Sequence, residues 1–144
     1  MATLPKAGAV YHFAGITVTC KAVGGEAGGA YALFELVIPP GVAIPPHRHS
    51  REEESYYLVA GALDIRVGDT TVSATPGTFV RTPVGVVHAV KNTSDAPATL
   101  LALVVPAGLE RLFAASDGLD PRTSADDQKR FVALRDEFGI EFVS

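Results

Sequence analysis

Three of the four histidines and one glutamate fall where they can act together. His47 and His49 are two residues apart, so on a β-strand both imidazoles project from the same face. Glu54 follows five residues after His49, at the start of an apolar segment, and parity puts it on one face with Tyr56 and Leu58. His88 lies far along the chain, after Pro83-Val84-Gly85, a separation that an antiparallel barrel can close. Three imidazoles and a carboxylate are borderline-to-hard donors, suited to Fe, Mn, Ni, Co, Cu or Zn rather than Ca or Mg. Without His88, the His47/His49 pair reads more simply as strand histidines satisfied by hydrogen bonds.

The elements that must position these residues are short strands punctuated by Gly and Pro. Residues 31–38 are apolar and partly β-branched, and Pro39-Pro40-Gly41 stops them. Over residues 63–67, Leu63, Ile65 and Val67 alternate with Asp64 and Arg66; Gly68-Asp69 suits a two-residue hairpin, with 70–75 as the return strand. Residues 99–105 form a further strand. Such spacing, with no helices between, predicts an antiparallel sandwich or barrel. The last third differs. Residues 109–115 read as a short helix. Ser124 and Asp127 resemble a capping box, Phe131, Leu134 and Phe138 make one apolar face, and Gly139 stops the helix. That face needs a partner, either the barrel or a second subunit.

The residues also carry a resemblance. Gly41-(5)-His47-x-His49-(4)-Glu54-(6)-Gly61 and Gly77-(5)-Pro83-x-Gly85-(2)-His88-(3)-Asn92 resemble the two motifs of the cupin superfamily, and all ten specified positions are filled. The 15 residues between Gly61 and Gly77 match the spacing of small single-domain bacterial cupins. The resemblance implies an all-β double-stranded β-helix, or jelly-roll, barrel with a short C-terminal helical extension, read here as one domain: barrel 1–108, extension 109–144. It implies one divalent transition metal (Fe, Ni, Mn, Co, Cu or Zn) on His47, His49, Glu54 and His88, with Glu54 also able to serve as a catalytic base. Only Glu54 has the motif's spacing to Gly61, which leaves Glu52 and Glu53 as solvated loop charges. Parity sketches a mainly apolar pocket from Tyr56, Leu58, Phe34, Leu36, Phe79, Val86 and Val90.

The donor set resembles that of quercetin-dioxygenase-like cupins. The reading that follows is a metal-dependent enzyme performing dioxygenase-type oxidation of a small, aromatic or enolic, oxygenated molecule. The alternatives are a non-catalytic small-molecule binding module, or a metal-dependent isomerase or cyclase on the same barrel. Other features carry less: His12 lies outside both motifs, Cys20 has no strongly basic setting, and Arg48 faces away from its flanking histidines. Gly24-Gly25 and Gly28-Gly29 lack the Lys-Ser/Thr of a phosphate loop, and Asn92 suits a turn.

Composition bounds the rest. The 144 residues suit about one domain; 47% are hydrophobic, as in a globular chain, and the net charge of −4 offers no basic surface for nucleic acid. A single cysteine fits a reducing compartment, and no apolar run reaches the ~20 residues of a membrane helix. The opening residues lack a signal-peptide layout, so the expectation is a cytoplasmic protein, and a homodimer through edge strands or the Phe131 face.

Overall fold

A computed structural model describes residues 1–143. Its strands are β1 (Val10–Phe13), β2 (Ile16–Ala22), β3 (Ala32–Ile38), β4 (Ala43–His49), β5 (Glu53–Ala60), β6 (Leu63–Val67), β7 (Thr70–Ala74), β8 (Phe79–Thr82), β9 (His88–Lys91), β10 (Ala98–Val105) and β11 (Ile140–Phe142). Two helices, α1 (Leu109–Ala115) and α2 (Ala125–Glu137), precede β11. The strands form two antiparallel sheets, β1-β2-β3-β10-β5-β8 and β11-β4-β9-β6-β7, stacked as a jelly roll.

Leu63 and Ile65 point inward as the alternation over 63–67 predicts, and the same period of two runs through β3 and β10. Ala32, Phe34, Leu36 and Ile38 of β3, and Ala98, Leu100, Ala102 and Val104 of β10, point inward and are buried. With Leu58 of β5, Ile65 of β6 and Val90 of β9, all at 0% exposure, they make the core between the sheets. Gly61 shows why the turns are glycine. Its φ is +84°, and a Cβ there would sit 2.8 Å from the backbone of Ala98.

The helical segment packs back on the barrel rather than standing free. The Ser124 hydroxyl accepts from the Asp127 amide, capping α2 as the sequence predicts. Phe131 of α2 lies 4.6 Å from the Phe13 ring and 5.7 Å from the Phe142 ring, centroid to centroid. The apolar face of α2 therefore has its partner within the chain, which removes it as an argument for a dimer. Gly139, at φ +72°, turns the chain after α2, and its carbonyl accepts from the Ser50 amide at 2.9 Å. The turn leads into β11, a strand absent from the sequence expectation, which pairs antiparallel with β4 (Ile140 opposite His49, Phe142 opposite His47). No described helix is long and apolar enough to cross a membrane.

Candidate metal centre

His47 and His49 occupy alternate positions near the end of β4 and both point inward, only 5% and 3% exposed. Pro45-Pro46 interrupts the β4–β9 register, and beyond the irregularity His47 stands directly opposite His88, the first residue of β9. Glu54 comes from β5 on the other sheet. One donor atom from each of these four buried residues lies within 4.8 Å of every other. By the sequence reading all four could line one cavity, and the fold brings a donor atom of each together, with His47, His49 and Glu54 on the cavity wall.

The imidazoles are held in one orientation. Nδ1 of His47 donates to the Pro45 carbonyl at 2.8 Å, Nδ1 of His88 to the Val86 carbonyl at 3.2 Å, and Nδ1 of His49 to Glu52 Oε1 at 3.0 Å. A carbonyl or carboxylate accepts only, so each Nδ1 carries a proton and each Nε2 is turned to the cluster. Nε2 of His49 and of His88 lie 3.1 and 3.3 Å from Glu54 Oε2. The His49 contact is off the direction of a hydrogen bond, so its Nε2 is buried without a hydrogen-bond partner. Fixed ring orientations, oxygen acceptors behind each ring and Nε2 atoms turned toward the Glu54 carboxylate fit a transition-metal site.

Electrostatics agree. Burial alone would raise the Glu54 carboxyl, but His49 and His88 against it outweigh this and keep it ionised, well below the usual carboxylate range. Burial lowers His47, aided by adjacent His88, to about 4, so this ring is neutral at pH 7. Burial would also lower His49, yet the carboxylates of Glu52 and Glu54 prevail and lift it to about 9. Burial, reinforced by the charge of Glu54, raises the Tyr56 phenol well above its ordinary value and keeps it protonated.

Glu52 is the residue that sequence reasoning missed. Read as a solvated charge, it is 7% exposed and backs His49 instead. Its neighbour Glu53, also read as a solvated loop charge, is instead the half-buried first residue of β5 and pairs with Arg81.

A cavity of about 360 Å³ opens beside the cluster. Tyr56 and Leu36 line it, as parity predicts. Phe34, Leu58 and Val90 face inward but lie in the packed core, so they are corrected from wall to core. Val86 shapes the turn that holds His88, and Phe79 is 63% exposed on the outside of β8. Much of the wall comes instead from the C-terminal segment: Leu109, Phe113, Ser116, Phe131, Arg135 and Phe142. Phe142 stacks on His47, ring centroids 5.3 Å apart.

The other singled-out residues are structural. The Asn92 amide donates to the carbonyls of Ile38 and Ala96, fixing a turn. Arg48 points outward and pairs with Glu141 of β11 at 2.7 Å. Burial, with the nearby charge of Glu110, pushes the Cys20 thiol up to about 11, which leaves it inert.

Comparison with known proteins gives a consistent picture. The cupin domain family matches residues 34–106. A germin-like protein of Arabidopsis thaliana, subfamily 2 member 1, is 35% identical over 76 residues, covering 49% of this chain and 35% of that protein. The chain thus aligns with about a third of that relative's length. Among solved structures, an RmlC-like cupin from Shewanella frigidimarina superposes with a TM-score of 0.67 at 15% identity, over 76% of this chain and 94% of that one. A predicted oxalate decarboxylase from Thermotoga maritima gives 0.59 at 22% identity, over 63% and 80%. At such identities the structural likeness concerns the fold.

Proposed function

The chain belongs to the cupin family, and from that premise we propose a metal-dependent enzyme that acts on a small, aromatic or enolic, oxygenated molecule by dioxygenase-type oxidation. The observation that carries the reading is the convergence of three Nε2 atoms and the Glu54 carboxylate, with every Nδ1 tied to an oxygen behind it. His47, His49, His88 and Glu54 would hold one divalent transition metal. When bound, the ion supplies a Lewis acid that polarises a substrate oxygen and makes its proton easier to remove.

The chain's own groups do the rest. Glu54, ionised and buried, accepts the substrate's hydroxyl proton at its carboxylate. Tyr56 stays protonated and donates a hydrogen bond to an oxygen in the cavity. Leu36, Leu109, Phe113 and Phe131 keep water away and accept an apolar ring. Because residues 109–142 supply that wall, barrel 1–108 and extension 109–144 are read as one domain. The outer face of the six-stranded sheet exposes Tyr57, Val59, Phe79, Leu103 and Val105, a surface that supports a homodimer and is checked by light scattering.

The test is elemental analysis of protein purified without chelators, followed by O2 uptake against catechols, flavonols and diketones. About one Fe, Ni, Mn, Co or Cu per chain with substrate-dependent uptake supports the proposal. Stoichiometric zinc without uptake overturns the dioxygenase reading in favour of isomerase or cyclase chemistry. Ligand-induced stabilisation without turnover overturns the enzyme reading in favour of a binding module.

A further inference from the structure

Buried polar side-chain atoms are nearly always hydrogen-bonded, so those that are not point to something the folded chain alone does not supply. Among the described residues three such atoms are buried without a partner: His49 Nε2, Ser116 Oγ and Arg135 Nε. All three belong to residues that line the same cavity. His49 is accounted for by the metal reading. Ser116 and Arg135 are not.

Arg135 is half-buried, its side chain 26% exposed. Arg135 lies over the Phe142 ring, its guanidinium carbon 5.1 Å from the centroid, and Phe142 in turn stacks on His47. The nearest carboxylate oxygen recorded for Arg135 is Asp136 Oδ1 at 3.9 Å, on the next residue of the same helix and 71% exposed, a contact worth little. Arg122, the other guanidinium at the cavity, is already taken by Asp120, with two hydrogen bonds of 2.8 Å. Arg135 Nε therefore stays unpaired on the cavity wall, with the Phe142 ring between it and His47. Ser116, 1% exposed, adds a neutral hydroxyl on the same wall.

We propose that the molecule this cavity takes is a small carboxylate: an apolar or aromatic body whose carboxylate pairs with Arg135, while its reacting oxygen faces the His47, His49, Glu54 and His88 cluster. Only the second of these contacts rests on the metal reading. A guanidinium donates and cannot accept, and its planar fork matches a carboxylate. A carboxylate enters an apolar cavity at great cost unless it is paired there, so Arg135 discriminates by charge as well as by hydrogen bonding.

The experiment uses full-length protein dialysed free of metal, so its outcome is independent of whether elemental analysis finds an ion. Benzoate, phenylacetate and cinnamate are each titrated calorimetrically against the corresponding neutral amide. In the wild type at least one acid binds tenfold or more tighter than its amide. Arg135→Met brings that ratio near one with unchanged far-UV circular dichroism, and Arg135→Lys retains part of the preference. Equal binding of every acid and its amide by the wild type overturns the proposal. So does an acid preference that survives Arg135→Met or, should that variant misfold, Arg135→Gln.

Discussion

The charge state of His49 makes metal uptake a proton-releasing reaction, and its size follows from the site. With Glu52 Oε1 at 3.0 Å from Nδ1 and Glu54 Oε2 at 3.1 Å from Nε2, His49 titrates at about 9 in the metal-free protein. At pH 7 the ring is then protonated by about a hundred to one, and freeing Nε2 costs about 3 kcal/mol. Affinity for Zn2+, measured against a competing chelator, should rise close to tenfold per pH unit from pH 6.5 to 8 and level off above about 9. Near pH 7.5, titration calorimetry in two buffers of different ionisation enthalpy should count close to one proton released per ion. Glu52→Gln keeps the size and removes the charge behind the ring. It should move the levelling-off to lower pH and weaken affinity on the plateau by about 10- to 100-fold. Glu53→Gln, which alters only the pair with Arg81 near the surface, should change neither quantity. Affinity independent of pH across this range, or equal effects of the two glutamate variants, would refute the reasoning.

The same groups set the stability of the metal-free chain. His49 is raised, so its contribution is complete below about pH 6.5 and is lost as pH climbs through about 9; thermal scans should show Tm falling over that window, and bound metal should abolish the fall. His47 is lowered to about 4, so stability should also decline as pH falls from about 6.5 to 4, where the unfolded chain takes up the proton first. His88→Ala should remove bound metal by elemental analysis, and full occupancy in that variant would exclude the ring as a ligand. Phe34→Ala empties a fully buried site edge-on to Phe113 and should cost about 3–5 kcal/mol in denaturant unfolding. Ser124→Ala removes the cap of α2 and should cost about 1 kcal/mol, read in the same assay.

Strand parity carried most of what was legible. It puts His47 with His49, and Glu54 with Tyr56, on common faces, and the resemblance to the two cupin motifs joined those pairs with His88. Parity is silent about height along the barrel. Phe34, Leu58 and Val90 are as inward as the ligands but sit at the level of the solid core. Glu52 was misread because the motif spacing to Gly61 selects Glu54 alone and leaves its neighbours as loop charges, whereas the turn from β4 into β5 folds the Glu52 carboxylate under His49. β11 is three residues long, too short for any alternation to show, and it exists because β4 offers it an edge. The cavity wall was hidden for a related reason. No residue of α2 is fully buried, since part of the helix faces an open cavity rather than packed side chains.

The pairing of β11 with β4 joins residues about ninety positions apart, and the His47–His88 pairing spans about forty. Chain loops of that length must be closed before any contact rewards them, and the four ligands meet only when β4, β5 and β9 are all in place. An ion that recognises only the finished arrangement has nothing to hold during the search. Where that arrangement is absent from the folding transition state, the ion leaves the folding rate unchanged and slows unfolding. The metal would thus be a latch rather than a seed, and the lifetime of the loaded protein would be governed by how seldom the ion escapes.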